Sequence, residues 1–580
     1  MFRKRSPQLG LFDADHLYLG FVGEDTFYGF LARHRGELFR DEDFAEFYSP
    51  DTGRPSVPPS LLATALLLQT YEQASDERAK AQADYNVQWK VALGVEIAAR
   101  PFAKSTLQRF RAQLVLKDEM REVFERSLAY AREAGYLKKR KLKVVLDTTY
   151  VLGRGAVKDT YNLLADGIGQ LMRALAEVHG VGVEEWGRGQ GLERYLAPSI
   201  KGGAGVDWDN KEARREFLHG IVSDAKRVLR LAREARAQAP EGDKQGERIE
   251  RAGALVRQLI SQDVERREDG SALKEGVARD RIVSVHDPEM RHGRKSKSKR
   301  FDGYKAAIAV DAESQLITAV EVLAGNAPDN ERALELTEAS EENSGLEVEE
   351  TIGDCAYGDG NTRQAYADAG RKLVAKIPYR GRRDQISKDQ FTIDLEEMTC
   401  TCPAGQTTRT LIRRGYRRGR GGKKHLCQAF HFDAASCVNC PLHRHCVKAK
   451  GAKGRTVSLH PQERLLQEAR ALQDSPAFEE YSQKRQVAEH RLARLVQLGI
   501  RQARHFGGTK TLFQLRMAAT VANLTLVAAK TGEMQSGSRR RLSFFSWAMA
   551  SAKSIWHQLS RPEHGLVPIS FQKAPFRLAL

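Results

Sequence analysis

At 580 residues the chain is too long for one simple core and, at about 150 residues per domain, long enough for three or four units. Its 93 Lys and Arg against 75 Asp and Glu leave a net charge of +18, which points to a polyanionic partner, most often nucleic acid. The longest apolar run, "SLLATALLLQTY", is too short to cross a bilayer, and the basic start "MFRKRSPQLGLF" lacks the unbroken apolar stretch of a secretory signal, so a cytoplasmic protein with no membrane partner is expected.

Residues 1–140 read as an all-helical, DNA-binding unit. Two prolines set the start of the helix in "GRPSVPPSLLATALLLQTYEQ", and "SDERAKAQADYNVQWKVALG" opens on Ser75 as N-cap and stops at Gly94. Ser105 and Gln108 in "STLQRFRAQL" have the spacing of a capping box. Arg109, Arg111 and Lys117 are candidate DNA contacts there, with a merely solvated helix face as the alternative.

Past "KKRKLK" the hydrophobic period changes from helical to strand-like. Residues 141–165 hold the first strand of a sheet, and its apolar run "VVLDTTYVLG" carries Asp147. A lone buried carboxylate costs several kcal/mol or takes up a proton, so Asp147 needs a partner. Residues 166–280 read as a helical hairpin insertion, with two long helices about the loop "APEGDKQ". Residues 281–385 resume the sheet: "GYKAAIAVD" and "QLITAVEVLAG" flank the turn "AESQ" as a β-hairpin, and "EETIGDCAYG", "GNTRQAYADAG" and "KLVAKIP" form a β-α-β unit.

The second acid, Asp354, ends the strand in "TIGDCAYG". Neighbouring strands lie about 5 Å apart, so Asp147 and Asp354 at matching heights can share divalent cations, and oxygen ligands suit Mg²⁺ or Mn²⁺. Residues 476–530 supply a third acid. Here "AFEEYSQKRQVAEHRLARLVQLGIRQARHFGG" reads as one long helix ended by glycines, with Tyr481, Arg485, Glu489, Leu492 and Val496 recurring along one face. A glutamate on a core-facing stripe must be paired or hold an ion, and an Arg485–Glu489 salt bridge is the structural alternative.

Residues 386–475 form a Cys-rich β insertion, holding six of the seven cysteines. Cys437-x-x-Cys440 has zinc-knuckle spacing, Cys402 and Cys446 complete a tetrahedral zinc site, and Cys400, Cys427, His443 and His445 are substitutes. Such an ion would supply folding energy that a small, polar insertion lacks. Two basic stretches suit a phosphate backbone. One, "RHGRKSKSKRFDGYK", presents Arg294, Lys295, Lys297, Lys299 and Arg300; the other, "RRGYRRGRGGKKH", presents Arg417, Arg418, Arg420 and Lys423. The tail, residues 531–580, has no readable role.

Taken in order, the motifs "LDTTYV", "GDCAYG" (D-x-x-Y) and "RQVAEHRLARL" (R-x-x-x-E-H) resemble a DDE transposase of bacterial insertion sequences, and the "eleven eighty-two" group in particular. The helical module around "GRPSVPPSLLATALLLQ", the segment "HDPEMR…GYKAAIAVD" and the closing helix "LFQLRMAATVANL" are similar too, so the resemblance spans about residues 40–525. It implies an α/β fold: a ribonuclease-H-like mixed sheet with helical and Cys-rich insertions behind a helical N-terminal domain. It further implies two Mg²⁺ ions (or Mn²⁺) held by Asp147, Asp354 and Glu489, with Arg485 orienting Glu489. Function follows as cleavage at the element's terminal repeats and transfer of the freed 3′-hydroxyl into target DNA, by copies assembled on DNA in a bacterial nucleoid. Two departures stand out: Tyr481 lies four residues before Arg485 instead of three, and Val496 occupies the place of a lysine. Arg494, Arg501 and Arg504 are the nearby candidates to replace it. The rival functions are a catalytically silent DNA-binding regulator and a metal-dependent nuclease that cleaves without joining.

Overall fold

In the computed structural model, which describes residues 1–6, 12–117, 120–138, 140–240, 242–268, 270–296, 298–378, 385–417, 424–447 and 454–531, the chain begins with seven α-helices. They are α1 (Ala14–Val22), α2 (Phe27–Leu38), α3 (Pro59–Tyr71), α4 (Asp76–Tyr85), α5 (Val87–Leu93), α6 (Lys104–Leu116) and α7 (Met120–Glu133). Pro59 opens α3, where its missing N–H is no loss. The Ser75 hydroxyl accepts the Arg78 N–H at 3.1 Å and caps α4. The helix expected to run on to Gly94 is broken at Asn86, which closes α4 and caps α5 through the Gln88 N–H. The capping box at Ser105 does not form, because α6 has already begun at Lys104.

A mixed sheet follows, centred on β1 (Leu142–Leu152). Between β1 and its neighbours the chain inserts α8 (Thr160–Val178), α9 (Val183–Gln190), α10 (Lys211–Gln238) and α11 (Lys244–Asp263), which close on their own core of Ile168, Leu171, Ile221 and Val256. A small hairpin, β2 (Val264–Arg267) and β3 (Gly270–Leu273), ends the insertion and was not legible as strand. The sheet resumes with β4 (Arg291–Arg294), β5 (Arg300–Asp311) and β6 (Ile317–Ala324). Then come α12 (Ala333–Ser344), β7 (Val348–Gly353), α13 (Gly360–Asp368) and β8 (Leu373–Ala375). β5 runs antiparallel to β1 and pairs on with β6 and β4, while β7 and β8 run parallel on the other side.

The cysteine-rich segment adds short strands β9 (Thr392–Asp394), β10 (Thr399–Thr401) and β11 (Thr407–Thr408), and a hairpin of β12 (Leu411–Arg417) and β13 (Lys424–His431). Single helical turns α14 (Ala434–Val438) and α15 (His443–Cys446) and strand β14 (Thr456–Ser458) complete it. The chain then returns through α16 (Glu463–Gln473), α17 (Phe478–Lys484), α18 (Gln486–Gln497) and α19 (Gly508–Lys530). The single long helix expected over 477–508 is therefore two: it breaks at Arg485 and ends at Gln497. The turn at Gly499, at φ 89°, suits glycine and sends the chain back along β1, where Gln502 bridges Leu152.

One apolar core joins these parts, running from Phe30, Leu66 and Trp89 through Val145 and Ile308 to Leu495 and Val521. Each such large side chain contributes roughly 1.5–3 kcal/mol when fully buried. α19 has the length and composition of a membrane span, but it is mostly buried between β6 and the N-terminal helices. Asn523 fixes its register: its amide exchanges both hydrogen bonds with the Ile317 backbone, at 2.9 and 2.8 Å.

Candidate active site

β1 holds Asp147 opposite Ile308 of β5, with one carboxylate oxygen accepting the Thr148 N–H at 2.7 Å. Asp354 lies just beyond β7, and its Oδ1 accepts the Ala356 N–H at 2.8 Å, a local turn that points the carboxylate out of the sheet end. Glu489 comes from α18, and Arg485 from the break before it. Of the sequence-predicted residues, Asp354, Arg485 and Glu489 all carry charges that act on Asp147. Burial, reinforced by the two like charges, pushes the Asp147 carboxyl up to about 6 against the pull of the Thr148 N–H and Arg485.

The core-facing reading of Glu489 needs correction. The residue is exposed, and among the described residues it forms no salt bridge with Arg485. α18 buries Ala488, Leu492 and Leu495 against the sheet and leaves the neighbouring face, with Glu489, open toward Asp147. Tyr481 serves the fold instead, donating its hydroxyl to Glu350 of β7 at 2.9 Å.

Four further residues, none of them named as a site residue from the sequence, stand at this site. Thr148 Oγ1 and Lys305 Nζ both bond Asp329, at 2.8 and 2.7 Å, placing a fourth acid beside β1. Tyr357, the tyrosine of D-x-x-Y, is 2% exposed and lies beneath Gly353, where a Cβ would come within 2.8 Å of its ring. Its hydroxyl has no hydrogen-bond partner among the described residues. Burial, and then the charges of Asp147, Asp329 and Asp354, hold its pKa well above the ordinary value. The spacing D-x-x-Y was the one signal for Tyr357; Asp329, in a loop, had none.

A group of cations gathers around Tyr150 of β1. Arg294, Lys295, Lys299 and Arg300 are exposed around the β4–β5 turn. Lys295 and Lys299 lie 5.7 and 5.1 Å from the ring centroid of Tyr150 on β1, and the Arg501 guanidinium stacks on the same ring at 3.9 Å. Arg501 also donates to the Tyr150 carbonyl at 2.8 Å. Arg417 ends β12 opposite Lys424, whereas Lys297, Arg418, Arg420 and Lys423 lie outside the described residues. Arg111 is engaged with Asp76 through both terminal nitrogens, so it braces the N-terminal helices. Lys117 donates to the Glu46 carbonyl at 2.7 Å, and Arg109 is exposed.

In the cysteine-rich segment, Cys402, Cys437, Cys440 and Cys446 line one small cavity together with His443. Burial raises the Cys446 thiol, and the three other cysteines add to the rise. Cys400 instead turns into the local core, where burial pushes its thiol up to about 11, and Cys427 donates to the Arg414 carbonyl at 3.5 Å. Among the described residues, no three His, Cys, Asp or Glu side chains stand at metal-ligand spacing. The donor chemistry nonetheless suits cations at both places: an exposed carboxylate beside a buried one with a raised pKa, and four thiols about one cavity.

A family model described as a transposase DDE domain matches residues 401–528, which include Glu489 and α19. A second, described as a transposase domain (DUF772), matches residues 20–113, within the N-terminal helices. Asp147 and Asp354 lie outside both matched segments. No curated protein matches the chain.

Proposed function

Because the chain belongs to the DDE transposases of insertion sequences, we propose that it cleaves DNA at the terminal repeats of its element and joins the freed 3′ ends to target DNA. The observation that carries this reading is that the charges of Asp354, from the end of β7, and Glu489, from α18, both act on the buried Asp147 of β1. The strand order supports it: β1 is central, with antiparallel β5 on one side and parallel β7 and β8 on the other, as a ribonuclease-H-like core would require.

Asp147, Asp354 and Glu489 would hold two Mg²⁺ or Mn²⁺ ions, which when bound supply activation of the attacking oxygen and charge neutralisation at the phosphodiester. The chain's own groups orient the ligands. The Thr148 and Ala356 N–H groups fix the two aspartates, and Arg485, a positioning residue one turn before Glu489, balances the negative field. Lys295, Lys299, Arg294, Arg300 and Arg501 beside Tyr150 would bind the phosphates of the strand leading to the acids, and Arg501 fills the role of the lysine absent at Val496. Cys402, Cys437, Cys440 and Cys446 would hold a structural Zn²⁺. Residues 1–140 would recognise the repeats, with two or more copies assembling on DNA in the cytoplasm.

A strand-transfer assay on DNA carrying the element's ends, with Mg²⁺, tests the reading. The parent is expected to give joined product and Asp147→Asn at least about a thousandfold less, since a metal ligand is lost. Equal product from both proteins overturns it. Cleavage without joining would mark a nuclease, and DNA binding with neither step a regulator.

A further inference from the structure

Away from the acids, a cavity of about 480 Å³ opens between the α3–α4 corner, the loop after α18 and the start of α19. Its floor is apolar: Leu66, Phe513 and Met517 are each no more than 6% exposed. Its rim carries the cations Arg154 and Arg504, with His505 beside them. Arg111 also lines it and is ion-paired with Asp76. Arg154 donates to the Arg504 carbonyl and lies over the Phe506 ring, and Arg504 donates to the Ala74 carbonyl. Among the described residues both guanidinium groups bond backbone carbonyls and neither forms a salt bridge, although the Asp76 charge still favours the Arg504 cation. Burial and then repulsion from Arg111 lower the Arg504 pKa against the pull of Asp76, and burial with Arg111, Arg504 and Lys510 outweighs Asp76 to bring His505 down to about 4. An anion at the rim would relieve that repulsion.

We propose that this cavity binds one nucleotide unit of a DNA strand, its phosphate against Arg154 and Arg504 and its base over the Leu66–Phe513–Met517 floor. The volume lies within the range of small-molecule sites, and an aromatic and thioether floor beneath a cationic rim matches a base and its phosphate. The location connects the cavity to the acids. Arg154 follows the end of β1, and the loop lining the cavity is bonded to that strand end through Leu152, with Leu152 N–H to Arg501 O at 2.9 Å and Ala503 N–H to Leu152 O at 2.8 Å. Asp147 lies five residues back along β1, roughly 17 Å at the strand rise, so the bound unit would sit a few nucleotides from the cleaved phosphate. The inference rests on the DNA-joining function proposed above and adds the N-terminal helices, through α3, to its substrate path.

Fluorescence anisotropy of the full-length protein with a single-stranded oligonucleotide of about 12 nucleotides, in EDTA, tests it. Deoxyadenosine monophosphate and inorganic phosphate serve as competitors. Two variants attack the site by different routes: the double substitution Arg154→Gln, Arg504→Gln removes the charge, and Thr70→Trp fills the space. Each is expected to weaken strand binding about tenfold. Deoxyadenosine monophosphate should compete and shift the His505 ring resonances, and phosphate should compete far less well. Parent-like strand binding by whichever of the two variants melts like the parent overturns the proposal, as does equal competition by phosphate. Nucleotide binding at this cavity in a protein that joins no DNA ends would keep the site and remove the transposition reading.

Discussion

Asp147, Asp354 and Glu489 come from distant parts of the chain, yet the elements that carry them all rest on the core shared by the sheet, α18, α19 and the N-terminal helices. Cys402, Cys437, Cys440 and Cys446 are close in sequence, but among the described residues their segment buries only Phe391, Ile393, Cys400, Phe430, Phe432 and Val457 in its own cluster. At the acids, packing fixes the backbone and the cost appears as charge: a carboxylate half out of water beside two others. In the cysteine segment there is little charge conflict and little packing. A cation would therefore do different work at each place, relieving repulsion at the first and supplying folding energy at the second.

The largest expected effect separates these two kinds of work. Structural zinc contributes roughly 10–16 kcal/mol of apparent binding energy in small domains, far more than six buried side chains leave to spare. Stripping zinc with a strong chelator, or replacing Cys437 with Ser, should therefore open residues 386–475 to proteolysis while the sheet and the N-terminal helices stay resistant. Mass spectrometry of the first cuts reads the outcome. Cuts spread evenly over the chain, or a metal-free protein that resists protease as well as the zinc-loaded one, would show that the thiols do not staple this segment.

Next in size is the pH dependence of the metal-free protein. Asp147 titrates at about 6 in the fold against an ordinary value near 4, so the folded state holds this proton more tightly than the unfolded chain. Stability is then highest below pH 4 in this respect and is lost as pH rises toward 6 and beyond, by about 2 kcal/mol after allowing for partial solvent contact. Chemical denaturation in EDTA from pH 4 to pH 7 measures it, and Asp147→Asn should remove that part of the slope. A slope identical in parent and variant would mean that Asp147 carries no such cost. Adding Mg²⁺ at pH 7 should restore stability to the parent alone.

What could be read from the chain follows the same division. β1 and β7 were legible because β-branched apolar runs leave few alternatives, and their acids stood out as misplaced charge. The spacing of Arg485 and Glu489 was legible as well, but the exposure of Glu489 was not, since α18 breaks away at Arg485 and a few tens of degrees of helix rotation decide which face is open. β4 reads as a charged loop, "RHGR", and becomes a strand only because β5 offers it an edge. Asp329 and Lys305 meet through tertiary packing that no local pattern encodes. Among the cysteines, the C-x-x-C pair was local and clear. The choice between Cys400 and Cys402 depended on where β10 ends: Cys400 is within the strand and faces the core, and Cys402 lies past it, where the chain turns toward the cavity.

The smallest expected effect tests whether the acid site is as conflicted as its geometry implies. A buried hydroxyl without a partner costs about 1–3 kcal/mol, and the Tyr357 phenol is such a group. Tyr357→Phe keeps the ring that packs beneath Gly353 and removes the unsatisfied oxygen, so the metal-free protein should gain about 1 kcal/mol in a denaturant titration. The acids around it sharpen the measurement. Should a carboxylate of Asp147, Asp329 or Asp354 take the phenol's proton in a hydrogen bond in solution, the substitution would cost stability instead, and the loss would shrink in the Asp147→Asn background if Asp147 is the acceptor. A gain in both backgrounds locates the tension in the phenol itself. A loss confined to the parent places it in the pairing of Tyr357 with Asp147, and makes the tyrosine of D-x-x-Y a support for the first acid as well as a neighbour of the second.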